Sequence, residues 1–325
     1  MSQVDISIVI PVWNGAPWLE KTLSSIFRQT LIDRSEVIII DSGSTDQTLE
    51  ILAGFPVRIH AVKATDFNHG ATRNLGVQLS QGQFVVMTVQ DAEPVNEFWL
   101  SNLMEGFTSD RVAGVCGLQI VPSDRDKNPI EWFRPISSPG IREYSFEKKE
   151  DFDRLSPQEK AQICSWDDVT AMYRREALLK IPFRPVSFSE DAFWAKDALE
   201  HGLAIVYNGK AQVKHYHAEN EDYAFRRGFT ILYHQYVMFG LTPDRMKGEL
   251  ISILKNSKTL LREKTIGWNE KYRWLVYNYH QRRGARKAIQ LFHEVLKKGA
   301  DELHKVHFEI SGIAPTALNP NTNHA

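Results

Sequence analysis

Two adjacent carboxylates, Glu190 and Asp191, open the run F-S-E-D-A-F-W-A-K-D-A-L-E-H-G, just ahead of Phe193 and Trp194. A general base needs a carboxylate held beside an apolar wall within reach of the proton it removes, and these acids fit that need. They fit a helix N-terminus equally, where the dipole stabilises negative charge. Asp91 follows the apolar run V-V-M-T-V-Q, where its oxygens either hold a divalent cation or cap the turn before Pro94. His215 and His217 alternate in V-K-H-Y-H, and one of the two is expected to face the cleft and join Asp91 on a metal. Asp41-Ser42 closes E-V-I-I-I-D, where the carboxylate either meets a ligand or shapes the turn that follows. F-N-H-G-A-T-R-N gathers Asn68, His69, Gly70 and Arg73 at one corner; the arginine is either a cation for a phosphate or a solvated helix residue.

These residues need elements to carry them, and the first 120 residues supply two alternating periods. I-S-I-V-I-P-V-W, E-V-I-I-I-D, P-V-R-I-H-A-V and Q-F-V-V-M-T-V are continuous apolar or β-branched runs, the pattern of strands. Between them, A-P-W-L-E-K-T-L-S-S-I-F-R-Q-T places Leu19, Leu23, Ile26 and Phe27 on one stripe, with Pro17 suited to a first helical position. S-T-D-Q-T-L-E-I-L-A-G and A-T-R-N-L-G-V-Q-L-S-Q-G read as helices closed by Gly54 and Gly82. Strand and helix in strict alternation imply an α/β fold with a mostly parallel sheet and helices on both faces. Ligands of such sheets sit beyond the carboxyl ends of the strands. There the chain puts Pro11, Val12 and Asn14, then Asp41 and Ser42, then Asn68 and His69, then Gln90 and Asp91. Residues 122 to 165 lack a clear period and read as an irregular excursion with one short helix. L-A-I-V-Y-N-G-K-A-Q-V-K-H-Y-H reads as two short strands around an Asn208-Gly209 turn, and the chain is helical from about 219 to 308.

Composition sets the bounds. The 325 residues are 42% hydrophobic and 24% charged with net charge −1, an ordinary globular balance that gives no bulk field for nucleic acid. Cys116 and Cys164 lack C-x-x-C spacing and are expected as reduced thiols of a cytoplasmic protein. Asp5 interrupts the first apolar stretch, so no signal peptide is expected, and no run of ~18 apolar residues is present. Neither G-x-G-x-x-G nor a P-loop follows the first strand, so a bound nucleotide diphosphate would need a side-chain cation and a metal.

Taken in order, S-I-V-I-P-V-W-N-G, V-I-I-I-D-S-G-S-T-D-Q-T, H-G-A-T-R-N-L-G, T-V-Q-D-A-E-P and F-S-E-D-A-F-W resemble the family-2 glycosyltransferases of GT-A fold, over residues 5 to 240. F-N-H-G-A-T-R-N, Q-D-A and V-K-H-Y-H more closely resemble the rhamnosyltransferase branch, which uses dTDP-L-rhamnose in O-antigen and related polysaccharide assembly. The resemblance implies a Rossmann-like catalytic domain over residues 1–240; the charge and period of the rest predict a basic helical region over 241–310, and the absence of an apolar pattern a disordered tail over 311–325. The resemblance also implies transfer with inversion: Asp191, supported by Glu190, as base; Pro11, Val12, Asn14, Asp41 and Ser42 around the nucleoside; Asn68, His69, Gly70, Arg73, Gln90 and Asp91 toward the diphosphate and sugar. It implies Mg²⁺ or Mn²⁺ on Asp91 with His215 or His217, although Val89 stands where the family's D-x-D motif has its first aspartate.

Arg245 to Lys305 carries 15 Lys+Arg against 6 Asp+Glu, which is +9, with apolar and aromatic residues at helical spacing. These helices either pack through their apolar faces or lie on a membrane surface, which would place the enzyme on the cytoplasmic face of the inner membrane beside a lipid-linked saccharide acceptor. The competing functions are a same-fold transferase using a UDP-hexose and a nucleotide-sugar-binding protein without transfer activity.

Overall fold

The computed structural model describes residues 4–124, 126–133, 140–186, 188–244 and 249–312. Among them lie nine strands: β1 (Ile6–Val12), β2 (Ser35–Asp41), β3 (Arg58–Ala61), β4 (Phe84–Thr88), β5 (Glu93–Pro94), β6 (Val112–Ile120), β7 (Ile141–Tyr144), β8 (Thr170–Arg174) and β9 (Ala204–Lys214). The helices that bear on the site are α1 (Leu19–Ile26), α2 (Thr48–Leu52), α3 (His69–Leu79), α4 (Trp99–Met104), α5 (Lys149–Asp153), α6 (Pro157–Ile163), α7 (Arg175–Lys180) and α8 (Glu190–Glu200). The C-terminal helices are α9 (Glu221–Phe239), α10 (Glu249–Arg262), α11 (Trp268–Leu296) and α12 (Ala300–Ser311).

All nine strands form one sheet in the order β3-β2-β1-β4-β8-β6-β9-β5, with β7 also on β9. The β3, β2, β1 and β4 neighbours are parallel, β8 runs antiparallel to both β4 and β6, and β9 is parallel to β6. Ile8, Val9 and Ile10 have no exposed surface, because helices cover both faces of the sheet there. Each such side chain contributes roughly 1.5–3 kcal/mol by leaving water. Val12 lies opposite Asp41, and Asp41 opposite Ala61, so the strand tips end level on one rim.

Several elements differ from the sequence expectation. Pro17 sits one residue ahead of the α1 N-cap, Trp18, because Gly15 O accepts from both Trp18 N and Leu19 N and makes a tight turn first. Residues 122–165 hold β7 and two helices; Ser156, Pro157 and Glu159 form a complete capping box on α6 that the sequence displays openly. β9 is one strand rather than a hairpin. Both halves pair with β6, and the ladder jumps from Cys116↔Tyr207 to Leu118↔Gln212, so Asn208-Gly209 makes a bulge. Asn208 is fully buried, and its Nδ2 donates to Asn102 O at 2.5 Å, a tertiary contact that overrides the turn preference of the dipeptide.

The chain divides into two compact units, Met1–Ser123 with Glu131–Tyr216, and Asp124–Ile130 with His217–Ala325. In the second, α9, α11 and α12 enclose Phe229, Tyr233, Phe292, Val295 and Leu303. This packing places α9 with the C-terminal helices, ahead of the expected boundary at 240. Gly284 permits the close approach of α11 to α9: a Cβ there would stand 2.5 Å from Glu221 O. The amides of Asn128 and Asn278 exchange hydrogen bonds at 3.0 and 3.1 Å and fasten the Asp124–Ile130 segment to α11. Among the described residues no helix is long and apolar enough to cross a membrane. The tail expected from 311 lies, beyond Gly312, outside the described residues.

Candidate active site

The tip of β1 is laced to the segments that follow β4 and β2 by side chain to backbone bonds. Trp13 N donates to Gln90 Oε1 at 2.9 Å, and Gln90 Nε2 donates back to Trp13 O at 3.2 Å. Asn14 takes φ +47°, a left-handed conformation that asparagine tolerates better than most residues. Its N–H donates to Ser44 Oγ at 2.9 Å, and its Oδ1 accepts from Thr45 N at 2.8 Å. The Asp41 carboxylate accepts from Gly43 N at 3.1 Å, Ser44 N at 3.2 Å and Ser44 Oγ at 2.5 Å. Asp41 therefore shapes the turn that follows β2. Ser42 Oγ beside it is buried with no hydrogen-bond partner among the described residues. Trp13 leaves 59% of its surface in solvent at this rim and presents an aromatic face there.

Asp91, His215 and His217 bring one ligand atom each to within 4.8 Å of one another. Both histidines take part, against the expectation of one. They lie just beyond the end of β9, and on extended backbone residues two apart share a face. His215 Nε2 is 3.5 Å from Asp91 Oδ2, while its Nδ1 is 2.7 Å from Gln119 Oε1. Gln119 Oε1 thus accepts a hydrogen bond from Nδ1–H and leaves the Nε2 lone pair toward Asp91, the outer-shell arrangement common to metal-binding histidines. Gln119 is in turn fixed by its Nε2 donating to Asp167 Oδ2. One carboxylate and two imidazoles form a donor set that fits a divalent cation of the first transition row, even with Val89 in place of a first aspartate.

The acidic cluster is built from α3, α8 and the residues before β8. Arg73, only 6% exposed in its side chain, forms ion pairs through Nε with Asp168 Oδ2 at 2.8 Å, a charge contact without hydrogen-bond geometry, and through Nη1 with Glu190 Oε1 at 2.5 Å. Burial works against the guanidinium charge, but Glu190 and Asp168 outweigh it and hold Arg73 protonated. Asp168 Oδ1 accepts from the Tyr173 hydroxyl, which accepts from Trp166 Nε1 at 2.6 Å. Burial, with Glu190 nearby, pushes the Asp168 carboxyl up to about 7 against the pull of Arg73. Asp191 Oδ2 accepts from Asp168 N at 3.4 Å, and Asp191 Oδ1 from its own Ala192 N at 2.7 Å. Burial, followed by the charges of Glu190, Asp168 and Asp167, holds the Asp191 carboxyl well above the usual carboxylate range. A carboxylate so placed is a stronger base than one in water.

The expected residues thus fall into two groups. Asp91, His215 and His217 converge, and so do Arg73, Glu190 and Asp191. Asn68 caps α3, with Oδ1 accepting from Ala71 N at 3.0 Å, and His69 Nδ1 lies 3.4 Å from Arg73 Nη1. Ser189 precedes α8 with φ +60° and gives it no side-chain cap. Gln119, Asp167, Asp168 and Tyr173 join the site without a sequence expectation; the signal for three of them was the W-D-D pair of acids ahead of the apolar strand T-A-M-Y.

Residues 7–181 match the family described as Glycosyl transferase family 2. The O-antigen chain rhamnosyltransferase WbaN of Salmonella anatum is 30% identical over 227 residues, covering 69% of this chain and 70% of that protein. The O-antigen chain rhamnosyltransferase RfbN of Salmonella typhimurium is 28% identical over 230 residues, with the same coverage of 69% and 70%. Among solved structures, S. aureus TarS 1–349 superposes with a TM-score of 0.52 at 15% identity, covering 85% of this chain and 71% of that one. Glucosyl-3-phosphoglycerate synthase from Mycobacterium tuberculosis, solved with Mn²⁺, UDP and glucosyl-3-phosphoglycerate, gives a TM-score of 0.50 at 18% identity over 74% of this chain and 81% of that one. At these identities the two structures share the GT-A fold with this chain and nothing finer.

Proposed function

The chain belongs to glycosyl transferase family 2, and from that premise we propose that it transfers L-rhamnose from dTDP-L-rhamnose, with inversion, to a saccharide acceptor in cell-surface polysaccharide assembly. The observation that carries the reaction is Asp191, whose proton affinity is raised by burial and by three neighbouring acids while the Asp168 N–H fixes its orientation. The two Salmonella relatives support the choice of rhamnose.

In this reading Asp191 takes the proton of the acceptor hydroxyl as that oxygen bonds to the anomeric carbon. The bond from that carbon to the diphosphate breaks on the opposite face, and the nucleoside diphosphate departs with the electron pair. Asn14 and the turn fixed by Asp41 shape the nucleoside pocket, Ser42 Oγ supplies an unspent hydroxyl, and Trp13 offers a face for the base. A divalent cation on Asp91, His215 and His217 would neutralise charge on the departing diphosphate. The donor is tested by thermal stabilisation with dTDP, dTDP-rhamnose, UDP and UDP-hexoses, each with Mn²⁺, Mg²⁺ or EDTA. A ligand at 100 times its dissociation constant stabilises by ~2.7 kcal/mol. The expected result is a larger shift with dTDP and dTDP-rhamnose than with UDP compounds. A preference for UDP would move the donor to a UDP-hexose, and no shift with any nucleotide would refute a donor site.

The proposal extends to a membrane surface as the second partner. On α11, Trp268, Tyr272, Val276 and Tyr279 recur at spacings of four, four and three and are all exposed, a single stripe facing water. Leu254 and Leu261 are exposed on α10. From Leu254 to Lys287 the chain has 10 Lys+Arg against 2 Asp+Glu, a net of +8. Aromatic side chains flanked by cations suit the headgroup layer of an anionic bilayer, where each cation near the surface contributes about 1 kcal/mol. The chain is expected to float with phosphatidylglycerol vesicles at low salt and not with phosphatidylcholine vesicles. A Trp268→Ser, Tyr272→Ser, Tyr279→Ser variant should lose this binding, and failure of the unaltered chain to float would reject the contact.

A further inference from the structure

The corner F-N-H-G-A-T-R-N is fastened to the segment that delivers the base, and the fastening is backbone-deep. Gly70 N donates to Val186 O at 3.3 Å, and a Cβ on Gly70 would stand 1.8 Å from Arg184 O, so only glycine fits. Asn74 holds the Phe183 backbone on both sides, donating from Nδ2 to its carbonyl at 2.8 Å and accepting from its N–H at 3.0 Å. A few residues on, α8 begins without a side-chain cap after the left-handed Ser189, and Arg73 grips the first helical residue, Glu190, instead. The same guanidinium grips Asp168, whose backbone N–H points at Asp191 Oδ2. All three side chains of the Arg73–Asp168–Glu190 triad are at most 7% exposed.

We infer that Arg73 and Asp168 are positioning residues that hold Asp191 for catalysis, and that Arg73 is not a ligand of the donor diphosphate. The inference deepens the transferase reading and rests on it. The charge of Arg73 is already met by two carboxylates inside the protein, whereas a diphosphate ligand must present its guanidinium edge to the cleft. Asp168 acts twice: its side chain anchors Arg73 and its main chain orients the base. A misplacement of ~1 Å in such a site costs about 10²-fold in rate.

Removing one partner of a buried ion pair leaves an uncompensated buried charge, so Arg73→Gln alone risks unfolding. The test therefore uses Asp168→Asn, Arg73→Lys and the double variant Arg73→Gln, Asp168→Asn, with near-ultraviolet circular dichroism to report folding. Calorimetry measures dTDP and UDP affinity, and initial rates with the donor selected by the nucleotide panel give kcat and KM against pH. Around Asp191 stand Glu190 on α8, Asp167 and Asp168 before β8, Arg73 on α3, Cys116 on β6, Tyr173 on β8 and Tyr207 on β9. Removal of the Asp168 carboxylate takes away one anion, so the acid limb of the rate profile should move to lower pH. The expected result is a kcat lowered by about 10²-fold, nucleotide affinity unchanged and that shifted limb. Nucleotide affinity weakened tenfold or more in Arg73→Lys with kcat retained would overturn the inference. So would a uniform loss at every pH with no shift of the limb. If the unaltered protein binds no nucleotide, the donor-site premise itself falls, a result separate from either of these.

Discussion

Replacing Asp191 with Asn is expected to lower kcat by about 10²–10⁴-fold while nucleotide binding persists, and at the same time to raise the melting temperature near neutral pH. The first effect follows from losing the proton acceptor while keeping the shape. The second follows from linkage. The folded-state pKa of Asp191 is raised by burial and then by Glu190, Asp168 and Asp167. Between the unfolded and folded pKa values the native state therefore binds more protons than the unfolded chain. Stability falls as pH rises through that window, so at neutral pH the raised proton affinity of this carboxyl is a net cost to the fold. Asparagine removes the charge and the cost together. Kinetics and differential scanning calorimetry on the one variant check both halves. A turnover number that does not fall would remove Asp191 from the role of base, and a lower melting temperature would contradict the electrostatic account of its surroundings.

Exhaustive chelation is expected to reduce transfer to background, and Mn²⁺ to restore it with half-maximal effect at a concentration set by Asp91, His215 and His217. The mixed nitrogen and oxygen donors favour Mn²⁺ over Mg²⁺, which prefers oxygen alone. Gln119→Leu should raise the Mn²⁺ requirement about 10–100-fold, because it frees the His215 ring that Gln119 Oε1 holds at 2.7 Å. Mn²⁺ titration followed by electron paramagnetic resonance measures the affinity independently of turnover. Activity that survives chelation would eliminate the metal role, and an unchanged affinity in Gln119→Leu would show that the ring is oriented by something else.

Much of the site was legible because strand tips are legible. The runs ending in Val12, Asp41 and Thr88 announce buried parallel strands by their composition, and the sheet register sets Val12, Asp41 and Ala61 level. Polar residues directly after such runs have one place to go, the carboxyl rim. Asp91 was visible for that reason, and Glu190-Asp191 by their place ahead of an aromatic pair; of the histidines one was expected at the cleft, although a spacing of two puts both on one face of an extended segment. Asn208-Gly209 shows the opposite case. The dipeptide speaks for a turn, but pairing of both halves of β9 with β6 and burial of Asn208 beneath α4 contacts decide otherwise.

What the linear chain established by itself was the α/β alternation, the family and the residues that face the rim, since these depend on local period and on order along the chain. What only the tertiary structure decided was the partner of each charge. Arg73 reads as a free cation in sequence because Asp168 and Glu190 lie about a hundred residues away, and nothing local signals that they will meet it. Once the sheet brings α3, α8 and the start of β8 together, burial makes an unpaired guanidinium untenable, and the corner becomes a clasp on the helix that carries the base.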